Sequence, residues 1–430
     1  MRFLHTADWH VGKTLKGHSR LDEQREVLRE IVRIAREQEV DAVLVAGDLY
    51  DTAAPSAPAQ QLVVQALMAL AGTGAQVIVI AGNHDHAATL DAYRPFAGAA
   101  GVTLVGAVRT AEQGGVVGFT SRSGEPATVA VLPFLSQRYA VRAAELVANT
   151  PAENTGAYDQ LLRDVLASLT GGFRTDAVNL VMAHLTVLNG TFGGGERTAQ
   201  SIFEYAVPAT IFPADAHYVA LGHLHRRQKM AAPSPVHYSG APLAVDFGEQ
   251  ENTNVVCLVE ATPTTPARVT DIPITAGRRL RTLRGTVSEL AALTDTVGED
   301  FLRVWVREPA RAGLREEVTD LLPNALEVRI DPDFATPVTG SRPSSGPGVE
   351  RSPSELFREY CATRTVADPR LDALFARLHD RVTEGSLAGP SSETEGSLAG
   401  PSSETEGSLA GPSSETEGSL AGPSIETGGA

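Results

Sequence analysis

The chain has 430 residues, a formal net charge of −16 and only two cysteines. Its length exceeds the range in which a single hydrophobic core keeps growing, so we expect more than one domain. No run of about 18 apolar residues occurs, which excludes a membrane-spanning helix. The distant Cys257 and Cys361 fit unpaired thiols in a reducing compartment, and a strand-like run begins at Met1. Together these features predict a cytoplasmic protein without a signal peptide.

Five short apolar runs are typical of buried strands. They are rich in Val, Ile and Leu, and each ends at Gly or a polar residue. They cover residues 1–6, 41–46, 76–81, 177–183 and 217–221. Between the first three lie two helical patterns, one with apolar residues on one face from Leu21 to Ala35 and one at about 59–70. This alternation predicts an α/β domain with mostly parallel strands.

A polar signature follows each of these strands. The signatures are Asp8-Trp9-His10, Gly47-Asp48-Leu49-Tyr50-Asp51, Gly82-Asn83-His84-Asp85, the single His184, and Gly222-His223-Leu224-His225. Open α/β sheets place their sites at the carboxyl ends of strands, so we expect these residues to converge. Residues two apart in a strand face the same side. Asp8 and His10, and likewise His223 and His225, are therefore expected to aim at one point.

The residue types of these signatures indicate metal chemistry. Carboxylates, imidazoles and an amide oxygen, without a thiolate, suit divalent manganese, iron, zinc or magnesium. A carboxylate can bridge two ions, and a pair roughly 3.5–4 Å apart stabilises both the attacking and the leaving oxygens of a phosphate displacement. Histidine is suited to meet a leaving oxygen near neutral pH. The pattern therefore predicts a two-metal phosphoesterase.

The chain resembles the calcineurin-like metallophosphoesterases, and among them the SbcD family of nuclease subunits. The resemblance rests on HTADWHVGK, VAGDLYDT, IAGNHD, AHLTVLNG, ALGHLH and YSGAPLAVDFGE, in this order within the first 250 residues. It implies a central β-sandwich flanked by helices, a small α/β capping domain and a C-terminal helical segment that binds a partner. The implied activity is that of a DNA exonuclease and hairpin endonuclease. The implied partners are a coiled-coil ATPase of the SbcC type and a second copy of the chain within a heterotetramer.

The resemblance also implies a role for each signature residue. One ion is assigned to Asp8, His10, Asp48 and His225, and the other to Asp48, Asn83, His184 and His223. Both ions are expected to be manganese, and His84 is expected to act on the scissile phosphate or the leaving group. Archaeal and eukaryotic relatives carry a second histidine where this chain has Asp51, so that catalytic role is not carried over. Asp85 is expected beside the ions rather than bound to them.

Two basic clusters flank the outer signatures of this acidic chain. They consist of Lys13, Lys16 and Arg20 after the first signature and Arg226, Arg227 and Lys229 after the last. Neutralisation of phosphates drives DNA binding, so we expect these residues to edge the metal site where a DNA backbone crosses. Ordinary solvated charge is the alternative for both clusters. The chain shows no motif that reads bases, which favours contacts to the DNA backbone.

The remainder of the chain predicts a second set of segments. Residues 1–275 are assigned to the nuclease domain and 276–338 to the capping domain, where the pattern predicts the order β-α-β-α-β. A Gly/Ser/Pro linker covers 339–353. From residue 384 an eleven-residue unit, EGSLAGPSSET, occurs four times, with Ile425 in place of a Ser in the last copy, and each copy has two Glu and no basic residue. Such a composition cannot bury a core, so we expect a disordered acidic tail over 384–430.

Two amphipathic helical patterns are predicted between the linker and the tail, over 354–383. Asp368 and Pro369 fit the N-cap and the first position of the second helix. The apolar residues proposed to hold the ATPase are Leu356, Phe357, Tyr360, Leu371, Leu374, Phe375 and Leu378. A helical hairpin folded onto the body of the protein is the alternative.

Two other functions remain open on the sequence alone. The first is a stand-alone phosphodiesterase or phosphatase that acts on nucleotides or phosphoproteins with the same metal site. The second is a scaffold whose main work is to bind the ATPase and DNA ends.

Overall fold

The computed structural model describes residues 1–136, 151–196 and 206–334 and six further positions. Those six are Phe357, Arg358, Cys361, Leu371, Leu374 and Phe375. The chain forms two compact units, Met1–Val338 and Thr339–Ala430. Within the described ranges, no helix is long and apolar enough to cross a membrane.

The described residues of the first unit contain both β-strands and α-helices. The strands are β1 (Arg2–Thr6), β2 (Thr14–Leu15), β3 (His18–Ser19), β4 (Ala42–Val45), β5 (Gln76–Ile80), β6 (Val102–Val105), β7 (Val116–Thr120), β8 (Pro126–Leu132), β9 (Val178–His184), β10 (Thr186–Val187), β11 (Ala206–Val207), β12 (Tyr218–Gly222), β13 (Gln228–Met230), β14 (Val236–Tyr238), β15 (Val255–Thr262), β16 (Thr265–Pro273), β17 (Leu280–Gly285), β18 (Phe301–Val306) and β19 (Ala325–Ile330). The helices are α1 (Leu21–Glu37), α2 (Ala57–Ala71), α3 (Ala87–Ala99), α4 (Pro151–Thr170), α5 (Val287–Ala291), α6 (Thr294–Val297) and α7 (Leu314–Leu321). Each of the five predicted strands is present, as β1, β4, β5, β9 and β12.

A six-stranded sheet with the order β16-β15-β1-β4-β5-β6 carries the first three signatures. β1, β4, β5 and β6 run parallel, whereas β15 is antiparallel to both of its neighbours. Alternate residues such as Leu4, Val43 and Val77 form one apolar cluster with the buried side chains of α1 and α2. The apolar face of α1 forms because Val27, Leu28 and Ile31 recur at helical spacing.

A second six-stranded sheet has the order β13-β14-β12-β9-β8-β7. Its four central strands, β14, β12, β9 and β8, run parallel. The two outer strands, β13 and β7, are antiparallel to their neighbours. Helix α4 contributes Tyr158, Leu162, Leu166 and Leu169 to the core on one face of this sheet. The spacing of three and four residues between them is that of a single helix face.

The two sheets share a buried core that joins their facing sides. It combines Phe3, Leu44 and Ile78 of the first sheet with Val129, Leu180 and Met182 of the second, among others. Residues next to these in sequence, such as Leu4, face the helices instead, as the two-residue period of a strand requires. This helix–sheet–sheet–helix arrangement confirms the β-sandwich flanked by helices. It also places the carboxyl ends of β1, β4, β5, β9 and β12 near one another.

The segment after β16 forms the predicted small α/β element. The parallel sheet β17-β18-β19 and helices α5 to α7 enclose a core that includes Leu290, Val304 and Val318. A separate buried cluster joins this element to the sandwich. It consists of Leu15, Ala244, Phe247, Leu280 and Phe301. The hairpin of β2 and β3 therefore connects the first metal signature to the small element.

The second unit is described only at single positions. Phe357, Leu371, Leu374 and Phe375 are helical, and the rings of Phe357 and Phe375 stack with centroids 4.1 Å apart. The remaining predicted partner residues, Leu356, Tyr360 and Leu378, lie outside the described residues, as do the acidic repeats. The domain boundaries drawn from the sequence stay predictions.

Candidate metal centre

Every predicted ligand lies at or just beyond the carboxyl end of a strand. Asp8 and His10 follow β1, Asp48 follows β4, Asn83 and His84 follow β5, His184 ends β9, and His223 and His225 follow β12. The backbone φ angle is positive at Asp8 (55°), His10 (44°), Asp48 (53°) and His223 (101°). Asp8 and His10 do meet in one donor group, as expected, but through left-handed backbone at both residues rather than through strand alternation. The expectation is wrong for His223 and His225, because the left-handed turn at His223 directs the two imidazoles to different donor groups.

Close approach of the loops makes the cluster possible. A Cβ atom at Gly82 would lie 2.1 Å from Asp48 Oδ1, and one at Gly222 would lie 2.0 Å from the carbonyl oxygen of Ala46. Real side chains do not tolerate such distances, so both signatures require glycine at these positions. The same approach lets His184 Nδ1 donate a hydrogen bond to the Ala46 carbonyl at 2.8 Å. This bond directs His184 Nε2 into the site.

One donor group consists of Asp8, His10 and His225. Their ligand atoms lie within 4.8 Å of one another, and all three residues are buried. His10 Nε2 and His225 Nε2 are 2.9 Å apart. Asp8 Oδ1 accepts the backbone N–H of His223 at 2.9 Å, which orients the carboxylate. This arrangement presents two imidazoles and a carboxylate to one point.

The second donor group consists of Asn83, His184 and His223. Asn83 Oδ1 lies 2.9 Å from His184 Nε2 and 2.8 Å from His223 Nδ1. The ring of Phe134 lies beside both imidazoles, with centroid distances of 6.2 and 6.4 Å. Phe134 was not identified from the sequence, and its apolar ring lines this side of the group.

Asp48 lies between the two donor groups. Its Oδ2 atom is 3.6 Å from His10 Nε2 and 3.6 Å from His184 Nε2. Its Oδ1 atom accepts the backbone N–H of His84 at 2.8 Å. A carboxylate placed equally between two sets of nitrogen donors suits a bridge between two cations.

Asp85 holds the loops rather than facing the donor groups. Its carboxylate accepts the backbone N–H groups of Leu49, Tyr50 and Gly82 at 2.9–3.2 Å. Burial, together with the nearby charge of Asp48, raises the pKa of Asp85 to about 7. Asp85 therefore joins the Gly47–Asp51 signature to the Gly82–Asp85 signature.

His84 lies at the edge of the first donor group. Its Nδ1–H donates to the backbone carbonyl of Asp51 at 2.7 Å, and its ring meets that of His10 edge-on at 4.7 Å. The carboxylate of Asp51 pairs with Lys13 at 3.0 Å. The residue that stands in place of a second histidine thus orients His84 through its main chain. The bond at Nδ1 leaves Nε2 of His84 as the nitrogen that can meet a substrate.

The electrostatics of the metal-free site favour bound cations. Burial raises the pKa of Asp8 well above its usual range. Burial opposes ionisation of Asp48 as well, but the neighbouring His184 and His84 outweigh it and hold its pKa below the usual value. Burial and the neighbouring His184 lower the pKa of His223 to about 3. A carboxylate and imidazoles kept in their uncharged forms by burial gain most from a cation, which replaces the lost solvation.

The donor chemistry also fits divalent metals. Among the described residues, Asp8 Oδ2 is one of the buried polar atoms without a hydrogen-bond partner. Such atoms cost free energy unless an ion or solvent meets them. The set of carboxylates, imidazoles and one amide oxygen matches hard or borderline divalent ions. All seven predicted ligands and His84 fall within this one cluster.

Two acidic residues behind His225 were missed as site residues. His225 Nδ1 donates to the carboxylate of Glu249, and its backbone N–H donates to Glu196 at 2.9 Å. Burial alone would lower the pKa of His225, but the charge and hydrogen bond of Glu249 raise it to about 9. Glu249 lies within the YSGAPLAVDFGE motif, so a signal was present. Glu196 lies in a glycine-rich segment in which no sequence signal pointed to it.

The predicted basic edge is only partly available to a ligand. Arg226 and Lys229 are exposed, whereas Lys13 pairs with Asp51 and Lys16 pairs with Glu327 at 3.1 Å. Arg227 is half-buried and donates to Asp271 at 2.8 Å.

Arg20 does not belong to the surface that could contact DNA. Its side chain is 1% exposed, forms an ion pair with Glu23 at 2.7 Å, and donates to the carbonyl of Ala244. Because its charge is enclosed, the prediction of a DNA contact is wrong for Arg20.

Comparison with known proteins agrees with this geometry. The calcineurin-like phosphoesterase family matches residues 1–227. The D subunit of the nuclease SbcCD from Bacillus subtilis is 39% identical over 284 residues, which cover 65% of this chain and 71% of the relative. The Rhodobacter capsulatus protein of the same name is 38% identical over 58% of this chain and 64% of its own length. The Escherichia coli K12 protein is 30% identical over 68% of this chain and 73% of its own length. The chain therefore belongs to the calcineurin-like phosphoesterases and, among them, to the SbcD family of SbcCD nuclease subunits.

Proposed function

We propose that this chain is a metal-dependent DNA nuclease that hydrolyses phosphodiester bonds at duplex ends, in hairpins and in single strands. The observation that supports this proposal is the pair of donor groups on either side of Asp48, whose Oδ2 lies 3.6 Å from a histidine nitrogen of each. A site for two adjacent cations is the arrangement used for in-line displacement at a phosphate. Membership among SbcCD nuclease subunits makes DNA the proposed substrate.

The donor groups assign a role to each ligand. Asp8, His10 and His225 would hold one ion, Asn83, His184 and His223 the other, and Asp48 both. We propose Mn²⁺ because the nitrogen and oxygen donors suit a divalent ion of intermediate character. When bound, the two ions neutralise charge on the scissile phosphate and lower the pKa of an attacking water.

His84 is the proposed catalytic residue. Its Nδ1–H is held by the Asp51 carbonyl at 2.7 Å. Its Nε2 atom is therefore the nitrogen available to the substrate, and in the doubly protonated imidazolium form it can donate its proton to a phosphate oxygen or to the leaving oxygen. The backbone N–H of His84 binds Asp48 Oδ1. This bond keeps the imidazole next to the position where both ions would lie.

The proposed DNA surface begins at the exposed residues beside His225. Arg226 and Lys229 offer charges to a backbone that crosses the site. Lys13 and Lys16 extend the surface from the other flank if DNA phosphates compete with their present acidic partners. These contacts would act on phosphates, so binding should weaken steeply with added salt.

A partner protein is also part of the proposal. The relatives are named as the D component of SbcCD, and we propose that a coiled-coil ATPase is the corresponding C component for this chain. The helical positions Phe357, Leu371, Leu374 and Phe375 belong to the segment proposed to bind it. Leu374 is 43% exposed, which suits an apolar anchor that a partner covers.

We further propose a homodimer within the complex, acting on DNA in the cytoplasm. Large apolar side chains are exposed on two neighbouring helices of the first unit. Phe96 on α3 is 79% exposed, Tyr93 is 44% exposed, and Met68 on α2 is 56% exposed. Exposed apolar residues of this size mark candidate protein contacts. A Phe96→Asp variant should sediment as a monomer while the parent chain sediments as a dimer.

The nuclease proposal is tested with the purified full-length chain and a panel of metals. Duplex ends, a DNA hairpin, single strands and nucleotide diesters are supplied with Mn²⁺, Mg²⁺, Zn²⁺ or no metal. We expect cleavage of the DNA substrates with Mn²⁺ and loss of cleavage with a chelator. Turnover of nucleotide diesters without cleavage of DNA would instead assign the site to a stand-alone phosphodiesterase. DNA binding without cleavage under any metal would favour a scaffold.

A further inference from the structure

The side of His225 that faces away from the donor group is enclosed by two acidic residues. Glu249 is 1% exposed, and one of its carboxylate oxygens accepts the His225 Nδ1–H. Its other oxygen accepts the backbone N–H of Val245 at 2.6 Å. Glu196 accepts the backbone N–H of His225 and of Gly193 and Gly194. Both acidic side chains are therefore committed to holding this loop.

The turn that carries Glu249 is itself anchored. Phe247–Glu249 forms one turn of 3₁₀ helix, and the Asp246 side chain accepts the N–H of Gly248 at 2.9 Å. Phe247 is 1% exposed and packs in the cluster with Leu280 and Phe301 of the small element. Because Asp246 and the buried ring of Phe247 hold this turn in place, the Glu249 side chain has little freedom to move away from His225.

We propose that Glu249 is a positioning residue for the metal centre, which sets the tautomer and the ring orientation of His225. A carboxylate offers only acceptors, so the imidazole must carry its proton on Nδ1 to make this bond. The Nε2 lone pair is then directed to the point shared with Asp8 and His10. This inference rests on the proposed role of His225 as a metal ligand. Carboxylates that accept from a ligating histidine raise its basicity and hold its orientation.

The geometry also predicts which substitutions disturb the metal site. In Glu249→Ala, the His225 Nδ1–H and the Val245 N–H both lose their acceptor. In Glu249→Gln, one oxygen remains, but the amide NH₂ must face one of these two donors. We therefore expect the alanine variant to lose more metal affinity than the glutamine variant. Glu251 is an exposed acidic residue two positions further along, so Glu251→Gln serves as the matched control for charge.

The experiment is titration of the metal-free full-length chain with Mn²⁺ by calorimetry, with metal content at saturation measured by mass spectrometry. We expect two ions per parent chain. In Glu249→Gln, affinity for one ion, corrected for the proton that the ion displaces from His225 by titrating at several pH values, should fall roughly 10- to 100-fold, the range found for groups that orient metal ligands. The other ion, assigned to Asn83, His184 and His223, should bind with nearly parental affinity. Glu251→Gln should match the parent at both sites.

Melting curves separate positioning from general support of the fold. If Glu249 were only structural, its variants would melt earlier while both Mn²⁺ affinities stayed at the parental value, and the proposal would be overturned. Equal loss at both ion sites would overturn it as well, because His225 belongs to one donor group. A parent chain that binds fewer than two ions would instead contradict the proposed two-metal function. The glutamine variant keeps the test valid if the alanine variant fails to fold.

Discussion

Four residues at the metal centre have backbone conformations that residues other than glycine rarely adopt. Asp8, His10, Asp48 and His223 all have positive φ angles. Such conformations cost about 1–3 kcal/mol each and persist only where surrounding contacts enforce them. Here the Asp8 N–H donates to the Gly47 carbonyl at 3.0 Å, and the His10 N–H donates to the Asp48 carbonyl at 3.1 Å. These backbone hydrogen bonds thus enforce the positions of the ligands.

The role of Asp48 between the donor groups gives the first prediction. Asp48→Asn replaces a carboxylate oxygen between the two ion positions with an amide that cannot bridge them equally. We expect nuclease activity to fall below about one tenth of the parental rate and both ions to bind more weakly. Circular dichroism should show an intact fold. Activity above that level would contradict the two-metal assignment.

His84 should behave in the opposite way, because it is assigned no bond to a metal. His84→Gln should remove most DNA cleavage while metal content stays at two ions per chain. Cleavage assays and metal analysis of the same preparation provide the measurement. Loss of one ion from this variant would make His84 a ligand.

Metal binding should depend on pH because the pKa of His225 lies above neutral pH. Glu249 raises the pKa of His225 to about 9, so its Nε2 carries a proton at neutral pH that an ion must displace. Apparent Mn²⁺ affinity should therefore rise about tenfold per pH unit between roughly pH 6.5 and 8, and level off above the pKa. Calorimetry in buffers of different ionisation enthalpy would count the released protons. An affinity that does not change with pH over this interval would contradict the raised pKa.

The sequence predicted the ligands but not the groups that hold them. Ligands such as Asp48 and His184 were recognisable because each follows an apolar run at the end of a strand. Glu249 accepts the Nδ1–H of His225 from a turn 24 residues further along the chain, and neither periodicity nor spacing in the sequence reveals this contact. Arg20 was misassigned for a related reason: its neighbours in sequence are exposed, but the Ala244 carbonyl and Glu23 enclose its charge. The contact with Ala244 spans 224 residues of the chain, so local sequence does not reveal it.

At the scale of elements, periodicity predicted the sandwich well because strand and helix periods separate its layers. In β1, Phe3 contributes to the core between the sheets and Leu4 to the core beneath the helices. The position in which the small element packs against the sandwich was not predictable from periodicity. It depends on a few contacts, such as the ring of His18 against Phe301 at 5.0 Å and the guanidinium of Arg303 over Phe247 at 5.2 Å.

Truncation of Phe247 should show how strongly the packing between the small element and the sandwich stabilises the fold. Phe247→Ala leaves a cavity among Leu15, Leu280 and Phe301, so we expect a loss of about 3–5 kcal/mol in the free energy of unfolding. Phe334→Ala is the matched control, because Phe334 also lies in a 3₁₀ turn but is 41% exposed. Its cost should stay below about 1 kcal/mol. Urea denaturation of both variants measures the difference, and equal costs would contradict the packing role of Phe247.

At the scale of the whole molecule, charge is distributed unevenly. The four repeats from residue 384 onward carry eight of the chain's acidic residues and no basic one. The net charge of −16 therefore says little about the surface around the metal centre, where Arg226 and Lys229 are exposed. Local charge governs contacts with DNA because salt screens exposed charges beyond about 8–10 Å.

The helical segment of the second unit should govern binding of the ATPase. Leu371, Leu374 and Phe375 recur at spacings of three and four residues, as anchors in a hydrophobic groove do. A large apolar anchor is worth about 1.5–3 kcal/mol when fully buried. Replacing both Leu374 and Phe375 with Asp should therefore weaken the complex by well over tenfold, as measured by calorimetric titration with the ATPase.

The same double variant should cleave DNA at the parental rate without the ATPase, because none of its changed residues belongs to the metal centre. An Arg358→Gln variant in the same segment is the control for a polar change, and it should retain most of the affinity. If the double variant bound the ATPase normally, the apolar stripe would belong to the fold of the chain itself. If its DNA cleavage without the ATPase fell in parallel, the substitutions would have damaged the nuclease unit. Only the combination of lost affinity and retained cleavage supports a docking segment.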